Sequence, residues 1–257
     1  MLRGIYSSIS AMINLQSSQS IITNNIANAN TNGYKSELLI SKSFDEMMLS
    51  NSDRYVNGKG NNQNIGGLSL GVKIDETVTN YTQGTFIETD NETDFAIDGS
   101  GFFTVTDNQG NRFYTRDGAF KVGSQGYLMT NSGYYVMGYN SDTGNLERIN
   151  VSDTQVTMDN TGNLLLDNRI SYRFNIADFN NYDNLEKIGD NLYSGTNPTV
   201  KNNYDVVQGY KEGSNVDIIE QSTLLMTNLR AYEANQKVVQ AMDSTLDKIA
   251  NEIGSVR

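Results

Sequence analysis

Residues 24–35 read NNIANANTNGYK, a stretch of short and mostly neutral side chains with no charge before its last residue. It follows an amphipathic run and precedes residues of strand character. Asparagine amides bond to nearby backbone, end helices and tolerate left-handed geometry. Asn32-Gly33 is a turn signal, because glycine adopts positive φ without steric cost. The stretch therefore predicts a helix that ends near Ile26, a turn at Asn32-Gly33, and an extended segment from Tyr34.

The run before this stretch predicts an amphipathic helix with unusually neutral faces. Between Arg3 and Lys35 there is no charged residue, whereas an exposed helix usually carries Lys and Glu on its outer face. Small neutral side chains on every face suit a helix that is packed closely by other helices. They also suit a helix that lines a passage which must not hold charged cargo. The apolar seam is weak, because two glutamines interrupt it: Ile5, Ile9, Met12, Gln16, Gln19, Ile22 and Ile26.

The C-terminal run, residues 214–253, predicts a longer helix. Ser214 or Asn215 can cap it, and Asp217 and Glu220 lie in the first turns, where the helix dipole favours negative charge. At 1.5 Å per residue such a helix is about 60 Å long. Steps of three and four residues, with one stutter, are typical of a coiled-coil-like seam. The seam is Leu225, Leu229, Tyr232, Gln236, Val239, Met242, Leu246, Ile249, Ile253 and Val256.

The two helices are predicted to need partners outside their own chain. Ordering the backbone costs about 1–2 kcal/mol per residue, which helix hydrogen bonds and propensity only about offset. Stability must then come from burial, at about 1.5–3 kcal/mol for each large side chain. One shorter helix cannot cover a seam of about 60 Å. A pair within one chain is the simpler alternative, but we expect the arms to become ordered among copies of themselves or relatives.

The centre of the chain predicts an antiparallel β domain. Gly/Asn turn signals recur at short spacing between runs such as FFTV at 102–105. Residues 50–68 have few hydrophobic side chains, which is typical of a mobile loop or linker. The predicted fold class is α+β, a central antiparallel all-β domain flanked by long N- and C-terminal α-helices that pair in a coiled-coil-like manner. The predicted divisions are the N-terminal helix and turn (1–35), an extended segment and linker loop (36–74), the β-rich domain (75–212) and the C-terminal helix (213–257).

The composition excludes most enzymatic chemistry. The 257-residue chain has no His and no Cys, which removes Ser-His-Asp and Cys-His catalytic groups and nearly all zinc sites. Its net charge of −11 argues against nucleic acid and anionic membranes as partners. We predict no catalytic, cofactor-binding or metal-binding residues and no membrane insertion. The alternative left open is a carbohydrate-binding β domain or a carboxylate glycosidase with oligomerisation helices, because two carboxylates suffice for that reaction.

Three segments of the sequence resemble the bacterial flagellar rod and hook proteins. They are SSISAMINLQSSQSIITNNIANANTNGYK at 7–35, TDFAIDGSGFFTVTDNQGNRFYTRDGAFKVGSQGYLMTNSGYYVMG at 93–138, and SNVDIIEQSTLLMTNLRAYEANQKVVQAMDSTLDKIANEI at 214–253. The resemblance implies a structural, non-enzymatic subunit. Such a subunit crosses the inner membrane through the flagellar type III export apparatus and stacks helically with its copies and with other rod and hook subunits.

The same resemblance implies a location in the basal body of the flagellum, within the cell envelope. There the rod is the drive shaft that carries motor torque to the hook and filament, and the two terminal helices form its inner tube. The length and the short middle domain favour a distal rod member of the family, with a proximal rod member as the alternative.

The residues predicted to lie at subunit interfaces belong to the two seams and to the two terminal signatures. Asparagine amides that remain after helix capping are expected to reach adjacent subunits. The predicted set is Ile5, Ile9, Met12, Ile22, Asn25, Ile26, Asn28, Asn30, Gly33 and Tyr34 in the N-terminal segment. In the C-terminal helix it is Leu225, Leu229, Arg230, Tyr232, Asn235, Val239, Met242, Leu246, Ile249 and Ile253.

Overall fold

The chain divides into two compact units in the computed structural model, which describes residues 2–56, 59–152, 154–159, 162–167, 169–200 and 204–253. Each unit is assembled from separate parts of the sequence. Unit 1 consists of Met1–Ile26, Glu37–Thr79 and Ile218–Arg257, and unit 2 consists of Ala27–Ser36 and Asn80–Asp217. The stretch that begins at Ala27 therefore belongs with the central part of the chain and not with the helix that it follows.

Unit 1 contains the two predicted helices. The first, α1, spans Leu2–Ala27 and ends at the asparagine-rich stretch, as predicted. The second, α2, spans Ile218–Lys248 and continues into one π-helical turn, Ile249–Ile253. Within the described residues, neither helix is long and apolar enough to cross a membrane.

The predicted cap of the C-terminal helix is wrong. Asn215 uses its side chain elsewhere: Oδ1 accepts a hydrogen bond from Ser36 N at 2.8 Å, and Nδ2 donates to Asn80 O at 2.7 Å. Ser214 Oγ accepts from Val216 N in a turn that precedes the helix. Because both candidate caps are engaged in these contacts, the helix begins later, at Ile218.

The two helices of unit 1 lie side by side and run antiparallel. Asn25 Nδ2 donates to Gln221 Oε1 at 3.3 Å. Towards the other end of α1, a Cβ on Gly4 would lie only 2.6 Å from Met242 Cε, so this glycine allows close approach. Position increases along α1 as it decreases along α2. The flanking helices are confirmed, and their coiled-coil geometry stays a prediction.

Residues between the helices in sequence form two antiparallel strand pairs in unit 1. Strand β1 (Glu37–Ser43) pairs with β4 (Val72–Thr79), and β2 (Met47–Val56) pairs with β3 (Lys59–Leu68). The prediction of a linker loop at residues 50–68 is therefore wrong. A two-stranded ladder pairs its backbone groups with each other and needs no buried face, so a low hydrophobic content does not prevent it.

Unit 2 consists of short strands joined by tight turns, with one 3-10 turn at Tyr182–Asn184. The strands are β5 (Phe86–Glu88), β6 (Phe95–Asp98), β7 (Phe102–Thr106), β8 (Arg112–Thr115), β9 (Phe120–Val122), β10 (Leu128–Thr130), β11 (Tyr135–Asn140), β12 (Leu146–Arg148), β13 (Val156–Met158), β14 (Asn163–Leu166), β15 (Arg169–Phe174), β16 (Ile176–Asp178), β17 (Glu186–Gly189), β18 (Leu192–Ser194), β19 (Thr199–Val200), β20 (Asp205–Gln208) and β21 (Tyr210–Glu212).

The main sheet of unit 2 has 13 strands, and its longest path runs β13-β14-β15-β11-β7-β8-β18-β17. Two further pairs join strands that are distant in sequence, β6 with β20 and β5 with β21. Every named pair in the described part of the chain is antiparallel, which confirms the predicted β-rich centre. The late strands β20 and β21 return the chain to its early strands β6 and β5.

All five residues of the central strand β7 are buried. Since successive side chains of a strand point to opposite sides, both faces of β7 are covered. Phe103 packs in one cluster, where its ring centroid lies 5.1 Å from that of Phe120 and 5.4 Å from that of Phe174. Phe102 packs in a second cluster, 5.4 Å from the ring of Tyr193. The sheet is therefore covered on both sides within unit 2, which gives this unit a core of its own.

Candidate assembly interface

The inward-facing side chains of α2 follow a regular heptad pattern. Steps of four and three residues alternate along this seam without interruption, which is the spacing of a coiled coil. The predicted seam passed through Leu229 and Gln236, but both side chains are exposed. That part of the prediction is wrong, because the amides Asn228 and Asn235 occupy the inward positions. Ser222 and Ala231 beside this seam are also half-buried. The seam itself is Gln221, Leu225, Asn228, Tyr232, Asn235, Val239, Met242 and Leu246.

The inward face of α1 departs from the predicted seam at two positions, where Ser8 and Leu15 take the places of Ile9 and Gln16. The other members of the seam are buried or half-buried: Ile5, Met12, Gln19, Ile22 and Ile26. Ser8, Leu15 and Ile22 follow each other at intervals of seven residues and are buried or half-buried, whereas Ile9 is exposed. The carbonyl oxygen of Leu15 accepts a hydrogen bond from Asn228 Nδ2 at 3.2 Å. The prediction followed the larger apolar side chain, but a small side chain at position 8 suits an inward position where helices approach closely.

One asparagine of the 24–35 stretch fixes α1 to strand β1. Asn25 Nδ2 donates to Glu37 O at 2.8 Å, and Asn25 Oδ1 accepts from Glu37 N at 3.0 Å. The side-chain amide of Asn25 therefore pairs with both backbone groups of Glu37, as the backbone of a neighbouring strand would do. Asn25 is only 1% exposed, so it stabilises its own subunit and offers no surface to another one, which corrects its predicted interface role.

The turn at Gly33 has a similar internal role in unit 2. Gly33 has φ +66°, as the sequence predicted, and its N–H donates to Glu212 O at 2.7 Å. A Cβ at this position would lie 2.5 Å from the carbonyl carbon of Arg116. The next residue, Tyr34, is buried, and Lys187 Nζ lies 4.1 Å from the centre of its ring. Gly33 and Tyr34 thus hold residues 27–36 within unit 2 and provide no subunit surface.

A buried cluster of three charges completes the attachment of residues 27–36. Lys35 Nζ lies 2.6 Å from Glu212 Oε1, and Arg116 Nη1 lies 3.2 Å from Glu212 Oε2. All three side chains are at least 95% buried. Glu212 Oε1 also accepts from Gly84 N at 2.9 Å. Since two cations share one carboxylate, the cluster holds an excess positive charge when all three groups are ionised.

Backbone carbonyls help to accommodate the two cations of this cluster. Lys35 Nζ donates to Thr82 O at 2.7 Å, and Arg116 Nη2 donates to Gly99 O at 2.8 Å. Burial lowers the pKa of Lys35 below its usual value, an effect that the nearby Glu212 carboxylate opposes only in part. We refer to Lys35, Arg116 and Glu212 below as the charge cluster.

The outward faces of unit 1 carry many apolar side chains that the chain itself does not cover. Tyr6 is 69% exposed, and Ile219 is 79% exposed. Large exposed apolar surfaces mark interaction sites in soluble proteins. The further exposed apolar residues of unit 1 are Ile9 and Ile13 of α1, Ile218, Leu224, Met226, Leu229 and Val238 of α2, Ile249 of the π-helical turn, and Leu38, Ile40, Phe44, Met47, Met48, Ile65, Ile74 and Val78 of the strand pairs and their connections.

The predicted interface residues therefore fall into three groups. Ile22, Asn25, Gly33 and Tyr34 are buried within the chain. Ile22 also lines an open groove of unit 1, so its interface role stays a prediction. Ile9, Asn30, Leu229, Arg230 and Ile249 are exposed. Ile5, Met12, Ile26, Asn28, Leu225, Tyr232, Asn235, Val239, Met242 and Leu246 are half-buried. The side chain of Ile253 lies outside the described residues. For the exposed and half-buried residues the interface role stays a prediction.

Sequence reasoning missed the inward positions Ser8, Leu15 and Asn228 and the charge cluster. The seven-residue interval of Ser8, Leu15 and Ile22 was a usable signal, but it required a serine to be accepted as part of a seam. Among the described residues, no group of three or more acidic side chains is placed to hold a metal ion.

Three protein-family models match the chain, and together they cover both of its ends and the first part of the β structure. They are described as flagella basal body rod protein (residues 5–35), flagellar hook protein FlgE/F/G D1 domain (residues 96–166) and flagellar basal body rod FlgEFG protein C-terminal (residues 207–252). The D1-domain model lies entirely within unit 2. The C-terminal model begins at residue 207, within unit 2, and continues along α2 in unit 1.

Curated relatives match over nearly the whole chain. The flagellar basal-body rod protein FlgG of Buchnera aphidicola subsp. Acyrthosiphon pisum is 33% identical over 91% of this chain and 94% of its own length. The flagellar hook-basal body complex protein FlhO of Bacillus subtilis is 32% identical over 100% of both chains. The flagellar hook protein FlgE of Helicobacter pylori is 38% identical over 68% of this chain but only 26% of its own length.

Proposed function

The chain belongs to the family of flagellar basal-body rod and hook proteins and is a structural subunit of the rod, and we propose that it works there by assembling with its own copies into a helical array. Within this array it transmits motor torque towards the hook and filament. Other rod and hook subunits are its neighbours. It reaches the basal body through the flagellar type III export apparatus, and it catalyses no reaction.

The observation that carries this proposal is the difference between the two units in how they cover their apolar surface. Unit 2 buries two clusters of aromatic and aliphatic side chains. In α2, by contrast, Asn228 is the one described residue that is buried, while Ile219 and Met226 are largely exposed. A helix of this kind gains most of its stability from packing of its apolar side chains. Neighbouring subunits would supply that packing.

A distal rod position is the version of this proposal that the relatives favour. The FlgG proteins are similar to this chain over more than nine-tenths of it, whereas the hook protein FlgE has a much longer chain of its own. A proximal rod position is the alternative. The carbohydrate-binding alternative has no support from relatives that are named rod and hook proteins.

Leu229→Asp tests the proposal at an exposed apolar position of α2. We expect this variant to lose assembly in a sedimentation assay and to abolish swimming, because a charge would be buried between subunits. The circular dichroism of the β structure should be unchanged. Ser244→Asp, which places the same charge on another exposed position of α2, is the matched control and should assemble normally. Normal swimming of the Leu229→Asp strain would contradict an interface at this position.

A further inference from the structure

The sequence contains two Asn-Gly pairs, Asn32-Gly33 and Asn57-Gly58, and the first of them lies within the described residues. An asparagine side chain reacts most readily with its own backbone when glycine follows, because glycine has no Cβ to hinder the approach and leaves the chain free to turn. The product is an acid in place of the amide. Asn32 is therefore a candidate site of spontaneous modification.

The reaction at this pair is a deamidation in two steps. Hydroxide removes the proton of Gly33 N–H, the nitrogen forms a bond to Cγ of Asn32, and the bond from Cγ to Nδ2 breaks. The released nitrogen takes a proton from water and leaves as ammonia, which restores the hydroxide. Water then opens the succinimide ring. Aspartate results when the bond from the ring nitrogen to Cγ breaks, and isoaspartate results when the bond to the backbone carbonyl carbon breaks.

The fold holds both ends of the peptide bond that this reaction must move. The N–H of Gly33 is buried and donates to Glu212 O at 2.7 Å. On the other side of the same peptide bond, Asn32 O accepts from Asn191 Nδ2 at 2.8 Å. Ring closure requires the nitrogen to lose its proton and the peptide bond to rotate towards the side chain. Both steps require this segment to open first, as amide hydrogen exchange does.

The surroundings of Gly33 also leave no room for the isoaspartate product. A Cβ on Gly33 would lie 2.5 Å from the carbonyl carbon of Arg116 and 2.5 Å from Asp117 N. Isoaspartate adds one methylene group to the main chain directly before Gly33. The glycine would then have to move into the backbone of Arg116 and Asp117 or give up its hydrogen bond to Glu212 O. Aspartate keeps the length of the main chain and makes no such demand.

We propose that Asn32-Gly33 is a deamidation site that the fold of unit 2 protects, and that isoaspartate at position 32 prevents residues 27–36 from docking. The site reacts while the chain is unfolded and stops reacting once the chain has folded, so the modification records time spent unfolded. The charge cluster controls this protection, because Glu212 supplies both the carboxylate that binds Lys35 and the carbonyl that binds Gly33. None of these steps depends on the proposed assembly.

Peptide mapping by mass spectrometry measures deamidation at each pair separately, from the mass difference between amide and acid. The unmodified full-length chain is incubated at mildly alkaline pH, either folded in buffer or unfolded in urea. In urea we expect Asn32 and Asn57 to react at comparable rates. In buffer Asn32 should react at least about tenfold more slowly than in urea, because only molecules with this segment open can react.

Two results of this comparison would overturn the proposal. A smaller difference than about tenfold between buffer and urea at Asn32 would show that the fold does not protect the site. Conversion of Asn57 in urea while Asn32 stays unreacted would show that Asn32-Gly33 is not a reactive pair.

Variants of the charge cluster test what controls the protection. Lys35→Met should raise the rate at Asn32 in buffer about fivefold, because weaker attachment of residues 27–36 lets the segment open more often. Glu212→Gln should bring the rate closer still to that in urea. The rate at Asn57 in the same molecules is the internal control and should not change. If Glu212→Gln fails to fold, Lys35→Met decides the question, and an unchanged rate at Asn32 in that variant would overturn the role of the cluster.

Refolding of the aged chain tests the consequence of the modification. The chain is kept in urea until Asn32 has partly reacted, then diluted into buffer, and gel filtration separates the compact molecules from the rest. We expect isoaspartate at position 32 to be depleted at least about fivefold from the compact fraction, because it costs the docked turn its packing. Asn32→Asp, which has the aspartate product without the added methylene, is the matched control and should refold. Equal proportions of isoaspartate in both fractions would overturn the proposed effect on docking.

Discussion

Replacing Glu212 by glutamine is the most informative perturbation of unit 2. The carboxylate is the single anion of the charge cluster, and its side chain and that of Lys35 are fully buried. Glu212→Gln keeps the size of the side chain but leaves Lys35 and Arg116 facing each other without a counter-charge. Breaking a buried ion pair in this way costs about 3–5 kcal/mol. The free energy of unfolding of a typical domain is about 5–15 kcal/mol, so this cost is a large part of it.

The same geometry predicts that substituting a cation of the charge cluster lowers stability less than substituting its carboxylate. Lys35→Met removes one of two cations and leaves Arg116 paired with Glu212, so the charges balance. We expect this substitution to cost about 1–2 kcal/mol, chiefly for the lost hydrogen bonds to Glu212 and Thr82 O. Adding Lys35→Met to Glu212→Gln should restore part of the lost stability, because it removes a cation that has no partner.

Urea unfolding of the full-length chain, followed by the near-ultraviolet circular dichroism of tyrosine, measures these free energies of unfolding. The chain has no Trp, and all of its tyrosines except Tyr6, Tyr55 and Tyr232 lie in unit 2. Glu186→Gln, the same change at an exposed position of β17, is the control and should stay within about 0.5 kcal/mol of the unmodified chain. A Glu212→Gln cost under about 1 kcal/mol, or strictly additive effects in the double variant, would refute the assigned role of the cluster.

Two further predictions concern unit 2. Burial raises the pKa of Asp117 to about 6. Between about pH 4 and pH 6 the folded state therefore holds a proton that the unfolded state has lost. The contribution of this group to stability is full below about pH 4 and disappears as pH rises through about 6. In thermal unfolding, Asp117→Asn should therefore stabilise the chain at pH 8 by up to about 3 kcal/mol and give no gain at pH 4. Gly33→Ala should destabilise unit 2 by more than about 2 kcal/mol, because its Cβ would meet the backbone at Arg116. Gly110→Ala, at φ +92° with nothing within 4 Å, isolates the φ penalty and should cost only about 1 kcal/mol in the same urea assay; equal costs at both glycines would contradict the steric explanation.

Local sequence signals predicted the elements whose causes are local. The asparagine-rich stretch ends α1 within one residue of Ile26, and Gly33 takes the positive φ that the Asn-Gly turn requires. The Gly/Asn punctuation of the centre correctly predicted short antiparallel strands. In each case the signal itself is local, because asparagine and glycine act on the backbone conformation of their own segment.

The features that sequence reasoning missed depend on contacts between distant residues. Glu212 meets Lys35 across 177 residues and Arg116 across 96, and no spacing rule connects these positions. The paired strands at residues 47–68 depend on backbone hydrogen bonds, which composition does not reveal. Each seam departs from its prediction at two positions. Ile9 and Leu229 were preferred for their apolar character, whereas Ser8 and Asn228 occupy the inward positions through small size and hydrogen bonding.

The polar side chains at the inward positions of the helices bear on where unit 1 buries its apolar surface. A seam that contains Asn228, Asn235 and Ser8 gives up part of the burial that an all-apolar seam would provide, at about 1.5–3 kcal/mol for each large side chain. Meanwhile apolar side chains such as Tyr6 and Ile219 remain uncovered. Exchanging the two sets would stabilise the isolated subunit but leave nothing apolar for a neighbour to cover. In the proposed array, the apolar surface of unit 1 would be covered by neighbouring subunits, whereas unit 2 buries two apolar clusters of its own.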